Sequence, residues 1–278
     1  MSTTTPVAAP AMSPLRRFLK PLLRFRYALL SFVVLFALWE LATHVFKIPS
    51  YLLPPPSLIY SEFIQRWPRV MEHAWITSQE IVVGFLLAVV VSIPLALITA
   101  YSRAVEVTLY PLIVFLQIVP KIAIAPLFII WFGFGFTPKV LLVFLLSFFP
   151  IVVSSIAGFK SIDQEIMELA RSTGASSLTI FRKIRLPHAL PSIFTGLKVA
   201  AALSSTAAVV AEFVASDRGL GYLLLIYNGD LETPMVFATI IVLSIIGLLV
   251  YYTVELLERL VIPWHVSIRA QQTDIPSV

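Results

Sequence analysis

The chain has 278 residues, of which 59% are apolar and only 13% are charged, and its mean hydropathy is +0.93. Because roughly a quarter of the residues of a soluble domain are charged, this composition excludes an ordinary soluble protein and indicates a chain that lies in a bilayer. The net charge of +5 does not indicate nucleic-acid binding, since most basic residues lie in alternate segments between the apolar runs, as membrane orientation requires.

The apolar runs predict an all-α membrane protein with six spanning helices. A span needs about 20 predominantly apolar residues. A disordered, basic amino-terminal segment (1–26) is followed by a membrane domain (27–260) and a carboxy-terminal tail (261–278). The segments on the same side of the membrane as the amino terminus carry most of the Lys and Arg. This bias predicts that this side, with both termini, is the cytoplasm. The predicted spans are 27–46, 76–101, 108–131, 139–159, 191–213 and 234–256.

The third predicted span is interrupted by prolines. Pro120 and Pro126 flank Lys121, and each proline removes a backbone donor from a helix. We therefore expect a break near the middle of the membrane, where freed carbonyl groups are tolerated only against protein or a water-filled cavity. Lys121 is a candidate for the wall of a translocation pathway, and the alternative is an ion pair with Glu212 that locks two spans together.

A charged cytoplasmic hairpin, residues 161–187, separates the fourth and fifth predicted spans. Ser161 and Gln164 have the spacing of a capping box that begins one helix, and Gly174 supplies a left-handed position that ends it. Ser176 or Ser177 is expected to cap a second short helix, and Pro187 is expected to close that helix.

The fifth predicted span carries two ionisable residues, Lys198 and Glu212. Such groups cost roughly 2.5–3.5 kcal/mol within a span and usually face a bundle interior or water. We expect Lys198 to snorkel to the cytoplasmic interface. Glu212 is expected to form either a gate or an interfacial ion pair at the outer end. The candidates for the pathway are thus Lys121, Glu212, Pro120 and Ser205, although close helix packing is the default interpretation of Ser205.

The hairpin resembles a known loop. Its Glu168, Leu169 and Ala170, followed by Gly174 and then by Ile184, Leu186 and Pro187, resemble the EAA loop of permease subunits of ATP-binding-cassette (ABC) importers, with Leu169 in place of the usual alanine. PKIAIAPLFIIWFGFG from Pro120, VVAEFVASDRGLGYL from Val209 and the terminal ERLVIPWH resemble the nitrate, sulfonate and taurine subgroup. The resemblance extends over most of the chain from about Trp39.

This resemblance implies the type I, MetI-like permease fold and a multi-pass subunit of the inner membrane with both termini cytoplasmic. The implied partners are a second copy of the chain, two cytoplasmic ATPase subunits and an extracytoplasmic solute-binding protein. The implied substrate is a small polar or anionic nutrient such as nitrate, a sulfonate or taurine, and the alternative is a vitamin precursor such as a thiamine pyrimidine or riboflavin. The residues implied in coupling to the ATPase are Glu168, Leu169, Ala170, Gly174, Ala175, Phe181, Ile184, Leu186 and Pro187.

The sequence does not support catalysis by this chain. It contains no glycine-rich phosphate-binding loop ending in Gly-Lys-Ser/Thr, so ATP and Mg²⁺ are expected on the partner ATPase, and no cofactor is expected here. It has no cysteine, and its four histidines are too scattered to predict a metal site. Two rivals remain, a membrane-embedded enzyme using His44, Glu40 or Glu212, and a stand-alone channel or carrier that would leave the hairpin without a purpose.

Overall fold

The computed structural model describes the backbone of residues 14–264, and it describes side chains from Tyr27 onward except at 28, 29 and 215. All regular structure in this range is helical, which confirms the predicted all-α class. The beginning of the predicted disordered segment (1–13) and most of the predicted tail (265–278, including His265) lie outside the described residues.

The described part of the chain contains eleven α-helices, joined by short turns. A 3₁₀ turn at Lys121–Ile124 precedes α5, and a π-helical turn at Phe181–Arg185 joins α8 to α9. The α-helices are α1 (Pro14–Val45), α2 (Pro56–Gln65), α3 (Trp67–Tyr101), α4 (Arg103–Ile118), α5 (Ala125–Phe132), α6 (Phe136–Lys160), α7 (Gln164–Ser172), α8 (Ser177–Ile180), α9 (Leu186–Ala215), α10 (Leu220–Gly229) and α11 (Thr233–Val261).

Four helical segments are long and apolar enough to cross a membrane by themselves: α3, α6, the continuous helix Ser177–Val214 and α11. A fifth span results if α4 and the segment Lys121–Phe132 are counted together across their bend. The part of α1 whose side chains are described without a gap begins at Leu30 and ends at Val45, so the predicted first span (27–46) is only partly described and is not among these four or five.

The bundle is built around α6 and α9, with α3 and α11 packed against them. Its largest apolar cluster joins Phe85 of α3, Ile151 of α6 and Ile193 of α9 to Val254 of α11. Helix backbones approach closely at small residues, as is typical of membrane helix pairs. At Gly84, for example, an added Cβ would lie only 2.6 Å from the Cβ of Val143. This tight contact fixes α3 against α6.

The predicted break in the third span is confirmed. α4 ends at Ile118, and the helix resumes as α5 after the 3₁₀ turn that follows Pro120, with the two arms bent by 86°. Neither Pro120 nor Pro126 can donate a helical hydrogen bond, which explains why the α-helix stops here. The break leaves Ile118 78% exposed and Ile122 55% exposed in the single chain.

The prediction that Pro187 closes the second hairpin helix is wrong. Residues 177–214 form one continuous helix, in which Pro187 lies in the first turn of α9. The preceding π turn, Phe181–Arg185, has a wider hydrogen-bonding pattern, which accommodates a proline that lacks an N–H and would clash with the carbonyl four residues earlier. The second arm of the hairpin is therefore a direct extension of α9.

Candidate functional site

The hairpin forms two short helices, α7 and α8, separated by a glycine turn. Gly174 has a φ of +73° and Ser176 caps α8 by accepting a hydrogen bond from the Thr179 N–H at 3.3 Å, so both predictions are confirmed. The predicted capping box is wrong. Asp163 occupies the position before α7 without a side-chain cap, and the Ser161 hydroxyl donates instead to the carbonyl of Gly158 at 2.9 Å.

The residues implied in coupling divide into an inward set and an outward set. The inward set consists of Ala170, which is buried, and of five half-buried residues that are named below. Phe181 packs beside Tyr101 of α3, with ring centroids 6.1 Å apart. The outward set contains Glu168, Gly174 and Leu169, whose side chain is 67% exposed. The half-buried positions are Ala175, Phe181, Ile184, Leu186 and Pro187.

The outward face of the hairpin is apolar at its centre and charged around it. Ile166, Leu169 and Leu178 are all exposed although they lie on a charged hairpin. Glu168 is exposed and forms no ion pair or hydrogen bond within the described part of the chain. Its side chain lines a polar cavity of about 400 Å³ together with Arg171 and Arg185. Exposed apolar side chains ringed by charge are typical of a protein-binding surface.

A second group of polar residues lies inside the opposite end of the bundle, which is the predicted outer end. We name Thr77, Glu80, Lys139 and Glu212, with the loop 216–221 that they contact, the outer polar cluster. Glu212 is completely buried, so of its two expected roles the interfacial ion pair is wrong, while the gate stays a prediction. Its Oε1 accepts from the Thr77 hydroxyl at 2.7 Å, and its Oε2 accepts from the Gly221 N–H at the start of α10.

Glu80 and Lys139 are members of this cluster that the sequence reasoning missed. They form an ion pair in which Glu80 is fully buried and Lys139 is 6% exposed. The Lys139 ammonium also donates to the Ser216 hydroxyl oxygen at 3.1 Å. Lys139 is the first residue of a predicted span, and Glu80 directly precedes the apolar run of another. The signal that could have found them is that each charge directly adjoins a buried apolar segment.

The loop 216–221 is attached to α3 through backbone donors. The Gly219 N–H donates to His73 Nδ1 at 2.9 Å, and the Leu220 N–H donates to the Thr77 hydroxyl oxygen at 2.8 Å. Gly219 has a φ of +106°, and a Cβ added there would overlap the carboxylate of Glu212. The glycine is therefore required both by the backbone conformation and by the close approach of the buried carboxylate.

The remaining pathway candidates lie apart from this cluster. Lys121 donates to the carbonyl of Gln117 at 2.6 Å, and its ammonium lies 4.7 Å from the centroid of the Phe149 ring. The alternative in which Lys121 pairs with Glu212 is wrong, because Glu212 is bonded to Thr77 and Gly221 instead. Pro120 is exposed at the break, next to Lys121.

Lys198 and Ser205 both face α11. The prediction that Lys198 snorkels is wrong, because its ammonium pairs with Glu258 Oε2 at 2.8 Å, with both side chains largely buried. A carboxylate on the neighbouring helix thus replaces water as its partner. Ser205 packs against Gly247, where an added Cβ would lie 2.9 Å from the serine hydroxyl. Whether Ser205 also lines the pathway stays a prediction.

The chain matches a family of transport proteins over most of its membrane domain. Residues 92–263 match the family model described as "Binding-protein-dependent transport system inner membrane component". The chain is 35% identical to the riboflavin transport system permease protein of Chloroflexus aurantiacus, over 96% of this chain and 100% of that protein. It is 34% identical to the taurine transport system permease protein of Escherichia coli, over 84% of this chain and 87% of that protein.

The fold is also found among solved structures. A chain of the MetNI methionine ABC transporter, in an inward facing conformation, superposes with a TM-score of 0.60 at 18% identity. The match covers 71% of this chain and 98% of that chain. This likeness shows the MetI-like permease fold that the hairpin resemblance implied.

Proposed function

Because the chain belongs to the family of binding-protein-dependent transport system inner membrane components, we propose that its cytoplasmic hairpin transmits the motion of a separate ATPase to the membrane helices. The chain is the transmembrane permease subunit of an ABC importer and a multi-pass membrane protein. The observation that carries the proposal is the unbroken helix Ser177–Val214, which begins in the exposed hairpin and ends beside the outer polar cluster.

The hairpin is built to move as a unit with α9. A helix transmits force only if it neither frays nor bends, and the cap at Ser176 and the packing of Phe181 on Tyr101 hold its exposed end in place. α9 packs along α6 and α11 for most of its length. A displacement of α8 by a partner would therefore tilt α9 against α6 and change the accessibility of any pathway beside them.

The exposed hairpin face is the proposed binding surface for the ATPase, which binds ATP and Mg²⁺ and hydrolyses the nucleotide. Leu169 and Leu178 supply the apolar centre, and burying two such side chains contributes roughly 1.5–3 kcal/mol each. Glu168 has its carboxylate free for a basic group of the partner. With this face in the cytoplasm, both termini lie there as well.

We further propose that two copies of the chain enclose the pathway between their bent α4–α5 segments. Irregular backbone at membrane depth is tolerated only where protein or a water-filled cavity covers it. In the single chain, Ile113 is the only buried residue of α4 and Ala125 the only buried residue of α5, among those described. Contact with a second copy would cover this break, while its other side faces the pathway.

The proposed substrate is a small polar or anionic nutrient such as nitrate, a sulfonate or taurine, delivered to the outer face by an extracytoplasmic solute-binding protein. The half-buried ammonium of Lys121 beside the break supports an anion. The alternative is a vitamin precursor, a thiamine pyrimidine or riboflavin, because the riboflavin and taurine permeases are similar to this chain to nearly the same degree.

Co-purification with charge-reversal variants tests the coupling surface. The tagged chain, solubilised in detergent from its native membranes, is expected to bring down an ATPase identified by mass spectrometry. Glu168→Lys should abolish this recovery while changing the free energy of unfolding by no more than about 0.5 kcal/mol, because Glu168 is exposed and has no intramolecular partner. Glu72→Lys is the control, because it makes the same change at an exposed site near the start of α3, at the opposite end of the bundle from the hairpin. Recovery of the chain without an ATPase would contradict the proposal.

Cysteine cross-linking tests the arrangement of two copies. The natural chain contains no cysteine, so single-cysteine variants report one position each. Ile122→Cys, at the exposed break, is expected to form a disulfide-linked dimer in native membranes on mild oxidation. Leu249→Cys, which is 63% exposed on α11, is the control and should remain monomeric. Equal cross-linking at both positions, or none at Ile122→Cys, would exclude the proposed interface.

A further inference from the structure

Two adjoining cavities lie between the hairpin and the ends of two spanning helices. The first has a volume of about 400 Å³ and the second of about 330 Å³, and they share four lining residues, among them Arg171 and Arg185. The apolar helix α3 ends at Tyr101 and α6 ends at Lys160, so the cavities lie where these two spans leave the apolar part of the bundle. We name the two together the hairpin cavity.

The charged side chains that line the hairpin cavity are three bases and one acid. Lys160 is already paired, because its ammonium contacts the carboxylate of Glu106 on α4. Arg171 and Arg185 have no carboxylate partner and no hydrogen-bond acceptor for their guanidinium groups among the described residues. The acid, Glu168, lines the same cavity but pairs with neither arginine. Two guanidinium groups therefore line this space with their donors unused.

The position of Arg185 is fixed by an aromatic contact. Its guanidinium carbon lies 4.3 Å from the centroid of the Tyr101 ring, and that ring packs in turn against Phe181. The attraction to the ring offers no oxygen acceptor to the five N–H donors of a guanidinium group. Arg185 is half-buried, and a half-buried cation whose donors lack acceptors is less favourable than one that binds an anion. The cavity therefore favours a negatively charged group.

The arrangement of the donors favours a phosphate group over a carboxylate. Arg171 lies on α7 and Arg185 lies in the π-helical turn before α9, so the two donors come from different elements. A carboxylate presents two oxygens in one plane, which a single guanidinium fork satisfies, whereas a phosphate group presents oxygens in several directions. Phosphate is also the anion found at this depth, because phospholipid headgroups lie where spanning helices leave the hydrocarbon, and basic pockets between such helices bind anionic headgroups.

We propose that the hairpin cavity binds one phosphate group between Arg171 and Arg185, either from the headgroup of an anionic phospholipid or from free phosphate in solution. The bound group connects α7 to the start of α9, because its two arginine partners lie on different arms of the hairpin. It thereby stabilises the hairpin against the ends of α3 and α6. The site belongs to the chain itself, so its test needs neither the substrate nor the ATPase proposed above.

Binding to the purified full chain in an uncharged detergent tests the site and identifies the source of the phosphate. One arm titrates radiolabelled inorganic phosphate into lipid-free protein by equilibrium dialysis. The other arm adds phosphatidylglycerol or, in parallel, the zwitterionic phosphatidylcholine, and counts the lipid molecules bound per chain by native mass spectrometry. Saturable binding of one phosphate, or of one phosphatidylglycerol in preference to phosphatidylcholine, supports the proposal and names the source. The absence of saturable binding from both arms would overturn it.

Matched arginine variants locate the bound group. Arg171→Gln should weaken whichever ligand binds by at least about tenfold, because a hydrogen-bonded charge pair is lost from a partly enclosed site. Arg171 is exposed and its side chain has no intramolecular partner, so this variant should fold normally. Arg182→Gln, at an exposed arginine of the same hairpin that does not line the cavity, should bind as the wild type. Equal weakening in both variants would show only unspecific attraction to a basic surface and would overturn the proposal.

Glu168→Gln should change the affinity in the opposite direction. Its carboxylate lines the same cavity, so removing this charge relieves the repulsion of a bound anion and should tighten binding by up to about fivefold. Weaker binding by this variant would place the anion outside the cavity and overturn the proposal. If neither ligand binds the wild type and Arg171→Gln instead abolishes recovery of the ATPase, the cavity receives an acidic group of that partner, and the phosphate site is excluded.

Discussion

The outer polar cluster and the hairpin are two polar regions of a largely apolar chain, and they are built in opposite ways. In the cluster, side chains of α3, α6 and α9 are buried and bind one short loop through both side-chain and backbone groups. In the hairpin, polar groups are satisfied locally, as with Ser176 and Thr179, and three large apolar side chains face outward. The outer polar cluster thus stabilises the chain's own structure, while the exposed face of the hairpin is the surface proposed for a partner.

This difference has a simple energetic basis. Buried polar groups that lose a partner cost about 1–3 kcal/mol each, and more when they are charged, so substitutions in the cluster act on folding. Exposed side chains without intramolecular partners contribute almost nothing to folding, so substitutions on the outward face of the hairpin act on binding. Changes at matched residue types in the two regions should therefore separate stability from coupling.

Gly219→Ala should produce the largest effect. The added methyl group would overlap the Glu212 carboxylate, and the φ of +106° is unfavourable for alanine. Overpacking and backbone strain each cost about 1–3 kcal/mol, and together they are expected to lower the melting temperature and reduce the yield of folded protein. Gly229→Ala, at the far end of α10 from Gly219 and with no atom within 4 Å of the added group, should behave as the wild type. Similar behaviour of the two variants would contradict the assigned packing.

Gly174→Ala should have a smaller effect that is confined to the hairpin. The added methyl group meets no atom within 4 Å, so the cost comes from the φ of +73°, about 1–2 kcal/mol. Because the hairpin can open without unfolding the bundle, the melting temperature should stay unchanged while α7 becomes more susceptible to proteolysis. ATPase recovery from the variant should fall. A melting temperature reduced as far as that of Gly219→Ala would show that the hairpin and the bundle unfold together.

Local signals in the sequence predicted the features that depend on neighbouring residues. Gly174 and Ser176 identified the turn and the cap of the hairpin, and Pro120 identified the break between α4 and α5. Two local predictions failed because an alternative bond or geometry was available. The hydroxyl of Ser161 found the carbonyl of Gly158, and the π turn before Pro187 allowed the helix to continue.

The sequence did not predict the pairings between distant helices. Each ionisable residue in or next to a span was visible, but nothing in its surroundings specified that Lys139 pairs with Glu80 or that Lys198 pairs with Glu258. Which helix faces which follows from packing of the whole bundle. The requirement for glycine at 219 and 221 could not be predicted for the same reason, because the carboxylate that they approach comes from the end of α9.

Hydrogen exchange of the purified chain, alone and with its ATPase, tests the contrast between the two ends most directly. The amides of Gly219, Leu220 and Gly221 donate to buried acceptors and should exchange slowly in both samples. The amides of α7 and α8 should exchange much faster in the isolated chain and become protected when the ATPase binds. Rapid exchange in loop 216–221, or a hairpin whose exchange the ATPase leaves unchanged, would contradict the assignment of one end to structure and the other to coupling.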